Sequence, residues 1–455
     1  MAEGVATVEK QALLGRWLRQ RRLWVAFLLL VFGLIPTGMA VAQEGPTVES
    51  VASSLDYVWM MVAAILVFLM QAGFALLEAG STRARNSGSV FMKNLMDFCM
   101  CGLAFWAFGF AIMFGTGNQF FGTEGFFLAG EYGTTDTALM WFFQMVFAAT
   151  AATIVSGALA ERTRLDAYMA YSFLISAIVY PVYGHWVWGG GWLAELGAWD
   201  FAGSGVVHAV GGIAAFVGAR MVGPRKDKYG ADGTPRAIPG HNMGYVVLGT
   251  IILFFGWFGF NSGSTLNGND PQIAVIAVNT FLAGIAGGLV AYYIQLARTG
   301  KADVAVTCSG IIAGLVGITA PCAFVDNWAA LVIGGVSGAL VIIGARFLER
   351  RLRIDDPVWA IACHGICGLW GLLALGIFAN GEYLEVAGLI AGGTDTFVAQ
   401  LVSIGAVVVW TGVSSVIVFG LIKRSIGLRV SEADEDAGLD ATEFSQPGYV
   451  GAQVS

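Results

Sequence analysis

Residues 200–212 read DFAGSGVVHAVGG and residues 356–368 read DPVWAIACHGICG. In both, an aspartate precedes a histidine by eight positions and a glycine follows it by four: Asp200, His208 and Gly212, then Asp356, His364 and Gly368. Each stretch opens an apolar run of roughly 20 residues, the length of helix that crosses about 30 Å of hydrocarbon. Counting the runs around them decides how the two copies are oriented.

Apolar runs fall at 55–79, 94–115, 137–160, 166–188, 204–223, 243–263, 272–297, 303–320, 327–347, 357–379 and 397–422. Eleven transmembrane helices follow, because a lone chain in lipid must satisfy its backbone internally. The cations provide an independent check. Nineteen of the 24 Lys and Arg lie beyond residue 43, and all fall after odd-numbered spans: Arg83, Arg85 and Lys93 after the first, Arg225, Lys226 and Lys228 after the fifth, Lys423 and Arg424 after the eleventh. The even loops, near 116–136, 189–203, 264–271, 321–326 and 380–396, hold none. By the positive-inside rule the mature amino end is outside and the carboxyl end inside. The first Asp–His–Gly set then opens span five from outside and the second opens span ten from inside. That is an inverted repeat, spans one to five against six to ten, with span eleven left over.

The composition agrees with an all-α polytopic membrane protein. Of 455 residues, 57% are hydrophobic and 12% charged, and the mean hydropathy is +0.72. Soluble enzymes and nucleic-acid binders are excluded on that balance. Cys99, Cys101, Cys308, Cys363 and Cys367 lie in apolar runs and Cys322 stands in a short loop, so no disulfide framework, metal-ligand spacing or cofactor motif emerges. Lys10, Arg16, Arg19, Arg21 and Arg22, the apolar stretch Leu23 to Ile35 and Ala40-Val41-Ala42 form a secretory signal, with an uncleaved anchor helix as the alternative. The chain divides into a signal at 1–42, a membrane domain at 43–424 and a cytoplasmic tail at 425–455.

Eight helical residues advance about 12 Å, which places His208 and His364 near the middle of the membrane, approached from opposite faces. Two midplane imidazoles that meet can share a hydrogen bond and serve a neutral hydrogen-bonding solute or a proton relay. The plainer reading is that they tie helices together. Asp200 reads as a helix N-cap, as a carboxylate favouring a cation at the outer mouth, or as both. Asp356 reads as its counterpart inside. Phe143 and Phe147 share a helix face, Phe260 and Ser264 end span six, and Trp188 ends span four, all toward the outside. Aromatic faces beside a hydroxyl hold small cations, and deeper phenylalanines block hydrated ions. Glu78, Asn94, Glu161 and Asn279 read as inter-helix glue or inner-end caps.

Asp200-Phe201-Ala202-Gly203-Ser204-Gly205-Val206-Val207-His208 resembles the signature of the ammonium transporter (Amt/MEP/Rh) family, nearer the Amt branch. Gly157-Ala158-Leu159-Ala160-Glu161-Arg162, Trp188-Gly189-Gly190-Gly191, Gly256 to Ser264, Asp355-Asp356-Pro357 and His364-Gly365 resemble further family motifs in the family's order, over nearly the whole mature chain. The resemblance implies a homotrimer in the cell membrane with one pore per subunit. It implies ammonium recruitment by Trp188, Phe143 and Ser264 with Asp200 behind them, a gate of Phe147 and Phe260, and a pore lined by His208 and His364. It further implies deprotonation near the gate and passage of ammonia. In the tail, Gly427-Leu428-Arg429-Val430 and Gly438-Leu439-Asp440 fit, but Phe444-Ser445-Gln446 stands where the family has His-Gly-Glu. That departure weakens the implied docking of a PII-type signalling protein on this tail. Glu432, Asp434, Glu435 and Asp436 read as a solvated linker. Two rival functions remain open: an ammonium sensor on the same scaffold, and an ion-coupled transporter of another solute.

Overall fold

The computed structural model describes residues 47–444, 448 and 449. The signal segment and its cleavage site lie outside the described residues. The chain divides at Val51; before it, only the lead-in to the first helix is described, and the account below concerns Ala52 onward.

Ten helices are long and apolar enough to cross a membrane: α1 Val48–Ser81, α2 Ala84–Phe114, α3 Thr135–Leu159, α4 Leu165–Glu195, α5 Ser204–Val222, α6 Met243–Gly263, α7 Gln272–Thr299, α9 Asn327–Leu352, α10 Ile361–Phe378 and α11 Thr394–Ser425. The segment expected at 303–320 is helical too, as the shorter α8, Val304–Thr319. Every expected apolar run is thus a helix. Side-chain caps define several starts: Thr134 accepts from Thr137 N, Asn242 from Tyr245 N and Asp303 from Val306 N. Helices α7, α8 and α9 pack through glycines. A Cβ on Gly314 or Gly334 would strike the Ala283 backbone, and one on Gly338 would strike Gly287. Close backbone approach of this kind substitutes dispersion contact for the hydrophobic drive that lipid removes.

The starts of α2 and α10 differ from the expected bounds for identifiable reasons. Helix α2 begins ten residues before the expected 94 because Lys93 is buried within it, its ammonium spent on the Thr163 carbonyl. Helix α10 begins at Ile361 rather than 357, since Asp356 stands outside the helix as its cap. Helix α5 begins at Ser204, as expected, but residues 201–203 before it are not helical, so His208 sits only one turn into its helix.

The loops that carry Lys and Arg gather at one end of the bundle, and the tail folds across them. The acidic run expected as a solvated linker is instead the helix α12, Glu432–Ala437, capped by Ser431. Glu435 is buried, pairs with Arg429 at 2.6 Å and accepts from Lys226 N, while Asp436 pairs with Lys226. Lys226 lies too far off in sequence to be anticipated, whereas Arg429 stands only six residues before Glu435. Farther on, Asp440 accepts from Gly88 N and Ser89 N, capping the α-helical part of α2 from outside its own strand of chain. The cation-free loops gather at the opposite end, where Tyr383 donates to Asp270 and Asn380 to Asp326.

Candidate functional site

The two repeats meet at their histidines. His208 Nδ1 and His364 Nδ1 lie 3.2 Å apart and both rings are buried. The elements that deliver them start alike. Asp200 accepts from Gly203 N and Ser204 N on one oxygen and from Gly205 N and Val206 N on the other, at 2.8–2.9 Å. Asp356 accepts from Val358 N and Ile361 N. Five residues before each histidine the backbone turns left-handed, at Gly203 with φ 115° and at Trp359 with φ 60°. Each histidine then falls in a widened helical turn, Ser204–Ala209 and Ile361–Ile366, of the kind that re-aims side chains at functional sites. The glycines four residues on complete the fit. A Cβ on Gly212 would strike Gly365, and one on Gly368 would strike Ser204 O and Ala209 N. Each repeat's glycine therefore admits the residue that follows the other repeat's histidine.

Toward the cation-free end a cavity of about 320 Å³ is lined by Phe143, Phe147, Trp188, Asp200 and Ser264, five of the residues singled out in the sequence. Trp188 Nε1 donates to the Asp200 carbonyl, and Ser264 Oγ donates to Phe260 O at 2.8 Å, leaving its lone pairs to accept. The Asp200 carboxylate is spent on its four backbone donors, so its charge reaches a cation across a distance rather than by contact. Gln144, which the sequence reading passed over, also lines this cavity, and its Oε1 is buried without a hydrogen-bond partner among the described residues. Below the cavity Phe147 stacks on Phe260 with centroids 4.1 Å apart. Phe260 in turn stacks on His208 at 5.4 Å, and Trp257 stacks on the same imidazole at 5.1 Å. All eight expected site residues are thus connected in one column. Trp257 is the member that sequence reasoning missed, since nothing in its motif shows which ring it faces.

Toward the basic end, His364 borders a small cavity of about 30 Å³ with Phe74, Glu78, Leu253 and Ile312. Leu77, Ser309 and Val358 separate it from a vestibule of about 310 Å³, into which Lys228, Glu349 and Asp356 project. An ion network frames that vestibule. Glu161, held at φ 72°, bridges Arg83 and Arg225, and Arg225 grips Asp355 through Nε and Nη2. Burial pushes the Asp355 carboxyl up, but the adjacent Arg225 outweighs it and holds the group well below the usual carboxylate range. Asn279 donates to Cys322 O and Val325 O, and Asn94 to Glu78, so the polar residues read as glue do bind helices and loops together. The other two histidines stand apart from the column: His185 contacts the Met113 and Asn118 carbonyls, and His241 contacts Thr82 O and Tyr449.

A model of the Ammonium Transporter Family matches residues 58–449. The chain is 48% identical to the ammonium transporter Amt2 of Archaeoglobus fulgidus over 443 residues, 93% of each chain. Among solved structures it is similar to the Sensor Amt Protein, with a TM-score of 0.83 and 38% identity over 87% of this chain and 99% of that one. It is also similar to Mep2 of Candida albicans, with a TM-score of 0.77 and 33% identity over 84% of this chain and 87% of the other.

Proposed function

Because the chain belongs to the ammonium transporter family, we propose that it carries ammonium nitrogen into the cell as ammonia, with the basic end of the bundle in the cytoplasm and the subunits arranged as a homotrimer. Ammonium is recruited in the outer cavity, where the faces of Phe143 and Trp188 attract the cation and Ser264 accepts an N–H. The Asp200 charge favours it from behind. The Phe147–Phe260 stack leaves no room for a hydration shell, and a bare cation in such surroundings is costly while neutral ammonia is not. Ammonium therefore gives up its proton at the stack, and ammonia moves past the histidines.

The observation that carries this reading is the Nδ1–Nδ1 contact at 3.2 Å. Only one of the two nitrogens holds the shared hydrogen, so the two imidazoles are opposite tautomers. A proton taken up on Nε2 of His208 displaces the shared hydrogen toward His364, which releases one from its own Nε2. The pair thus moves a proton without moving an ion.

A second reading, an ammonium sensor that binds at the mouth and conducts little, is supported by the likeness to the Sensor Amt Protein. Proteoliposomes given an ammonium pulse separate the two. Transport produces internal alkalinisation or current in the wild type and a loss of current in His208→Ala, His364→Ala and Asp200→Ala. Silence of both signals refutes transport and leaves the sensor.

A further inference from the structure

Glu78 is a buried carboxyl in the last turn of α1 that the column described above does not use. A buried ionisable group is costly to keep even near the end of a span. Its role as glue does not require the charge, since both hydrogen bonds it accepts, from Ser156 Oγ and Asn94 Nδ2, fall on Oε2 and a glutamine oxygen would serve them. No hydrogen bond to Oε1 is present among the described residues. The side chain forms part of the wall of the small cavity that His364 also borders. That cavity holds one or two molecules the size of water or ammonia. Three of its lining residues titrate: Glu78, His364 and Cys363, whose thiol is given to Ser309 O. His364 has spent Nδ1 on His208, which leaves Nε2 for the cavity. The other charged groups within electrostatic reach of Glu78 are Asp97, Asp356 and Lys93. Asp97 bonds to Ser172, Asp356 to its own helix start and Lys93 to Thr163 O, and none of them borders the cavity.

Resting on the transport reading above, we propose that Glu78 is the proton acceptor that follows His364, so that ammonium's charge leaves the pore by a side chain while ammonia leaves through the apolar gap. The Nε2–H bond of a protonated His364 breaks and an O–H bond forms on Glu78 Oε1, directly or through one water, returning His364 to the neutral state. The resulting carboxylic acid then gives its proton to water in the vestibule beyond Leu77, Ser309 and Val358, and the carboxylate is restored. No electrons change hands.

The test compares wild type, Glu78→Gln and Glu78→Asp in proteoliposomes, with current and an internal pH dye recorded on the same ammonium pulse. In Glu78→Gln the current falls at least tenfold while internal alkalinisation, which the wild type limits by carrying a proton with each ammonia, rises above wild type as ammonia enters alone, which also shows that the variant is folded. Glu78→Asp, which keeps the carboxyl, retains a current well above that of Glu78→Gln. An unchanged current in Glu78→Gln overturns the proposal, as does an equal loss of current in both variants. A wild type that alkalinises without current overturns it too, but leaves the transport reading standing as neutral passage. Silence of both signals in the wild type overturns the transport reading itself.

Discussion

Gly368 supports the sharpest test of how the two repeats hold their histidines. A Cβ at this position would lie 2.5 Å from Ser204 O and 2.8 Å from Ala209 N, where ordinary contact begins at 3.4 Å. Both obstacles are backbone, so neither can rotate away. Gly368→Ala therefore forces α5 and α10 apart by up to about 0.9 Å at the level of the histidines. The Nδ1–Nδ1 distance starts at 3.2 Å, and the same displacement carries it to about 4 Å, beyond hydrogen-bond range. Over-packing of a well-packed crossing costs roughly 1–3 kcal/mol, and the lost buried hydrogen bond adds about 1 kcal/mol. The expected phenotype is split: a lower unfolding temperature in detergent, a current reduced at least tenfold, and alkalinisation raised above wild type as ammonia enters without its proton. Gly405→Ala on α11, where a Cβ meets nothing within 4 Å, serves as the control and should leave all three unchanged or slightly raise stability. A Gly368→Ala protein with wild-type current and melting would refute both the rigid crossing and the claim that the imidazoles conduct as a coupled pair.

Three further outcomes follow from the same geometry. Phe260→Ala removes the ring that stacks on both Phe147 and His208; it should admit potassium current at least tenfold above wild type, and continued exclusion of potassium would show that the stack is not the barrier. Asp200→Asn keeps one acceptor oxygen for four backbone donors, so it should cost about 2–4 kcal/mol in thermal or denaturant unfolding, and unchanged unfolding would count against the cap. Arg225→Gln leaves Asp355 buried without its paired cation and Glu161 with Arg83 alone, a loss of roughly 3–5 kcal/mol. Because Arg225 holds the Asp355 carboxyl below its unfolded value of about 4, the stabilisation is complete above that pH and is lost as the pH falls through the lower folded value. The melting gap between wild type and Arg225→Gln should thus be widest near pH 7 and narrow on acidification below about 4. A gap that does not depend on pH would place the stabilisation in packing rather than charge.

Much of this arrangement is legible in the sequence because lipid simplifies the physics. Apolar runs must be helices, and the one-sided cations count them. The Asp–His–Gly spacing announces a symmetric pair because the same helix start recurs, with Asp200 and Asp356 as caps. What it does not announce is how that start is built. The left-handed turns at Gly203 and Trp359 and the widened turns after them shorten each helical approach, so the depth inferred from eight regular residues does not apply. Trp359 in particular offers no signal, since a tryptophan is not where a positive φ is sought. The tail misled for a different reason. Glu435 and Asp436 look solvated until Lys226 is brought beside them, which only tertiary packing does, although Arg429, six residues before Glu435, is a local partner. Glu78 was recognised as a buried polar residue, but spacing along α1 cannot show that its unbonded oxygen shares a cavity with His364.

The recurring Asp–His–Gly start accounts for the histidine pair, and departures from the likeness set the two rings in different surroundings. Related helices bring His208 and His364 to one hydrogen bond, and each repeat's glycine receives the other's backbone. The surroundings of the two rings differ. His208 is sandwiched by Trp257 and Phe260, with the Phe147 stack beyond. His364 faces a cavity with a carboxyl in its wall. On the proposed reading, the aromatic stack before His208 makes a bare cation costly and strips ammonium of its proton, whereas the carboxyl beside His364 takes that proton up. On that reading the same helix start, used twice, faces release of a proton on one side of the pair and its capture on the other.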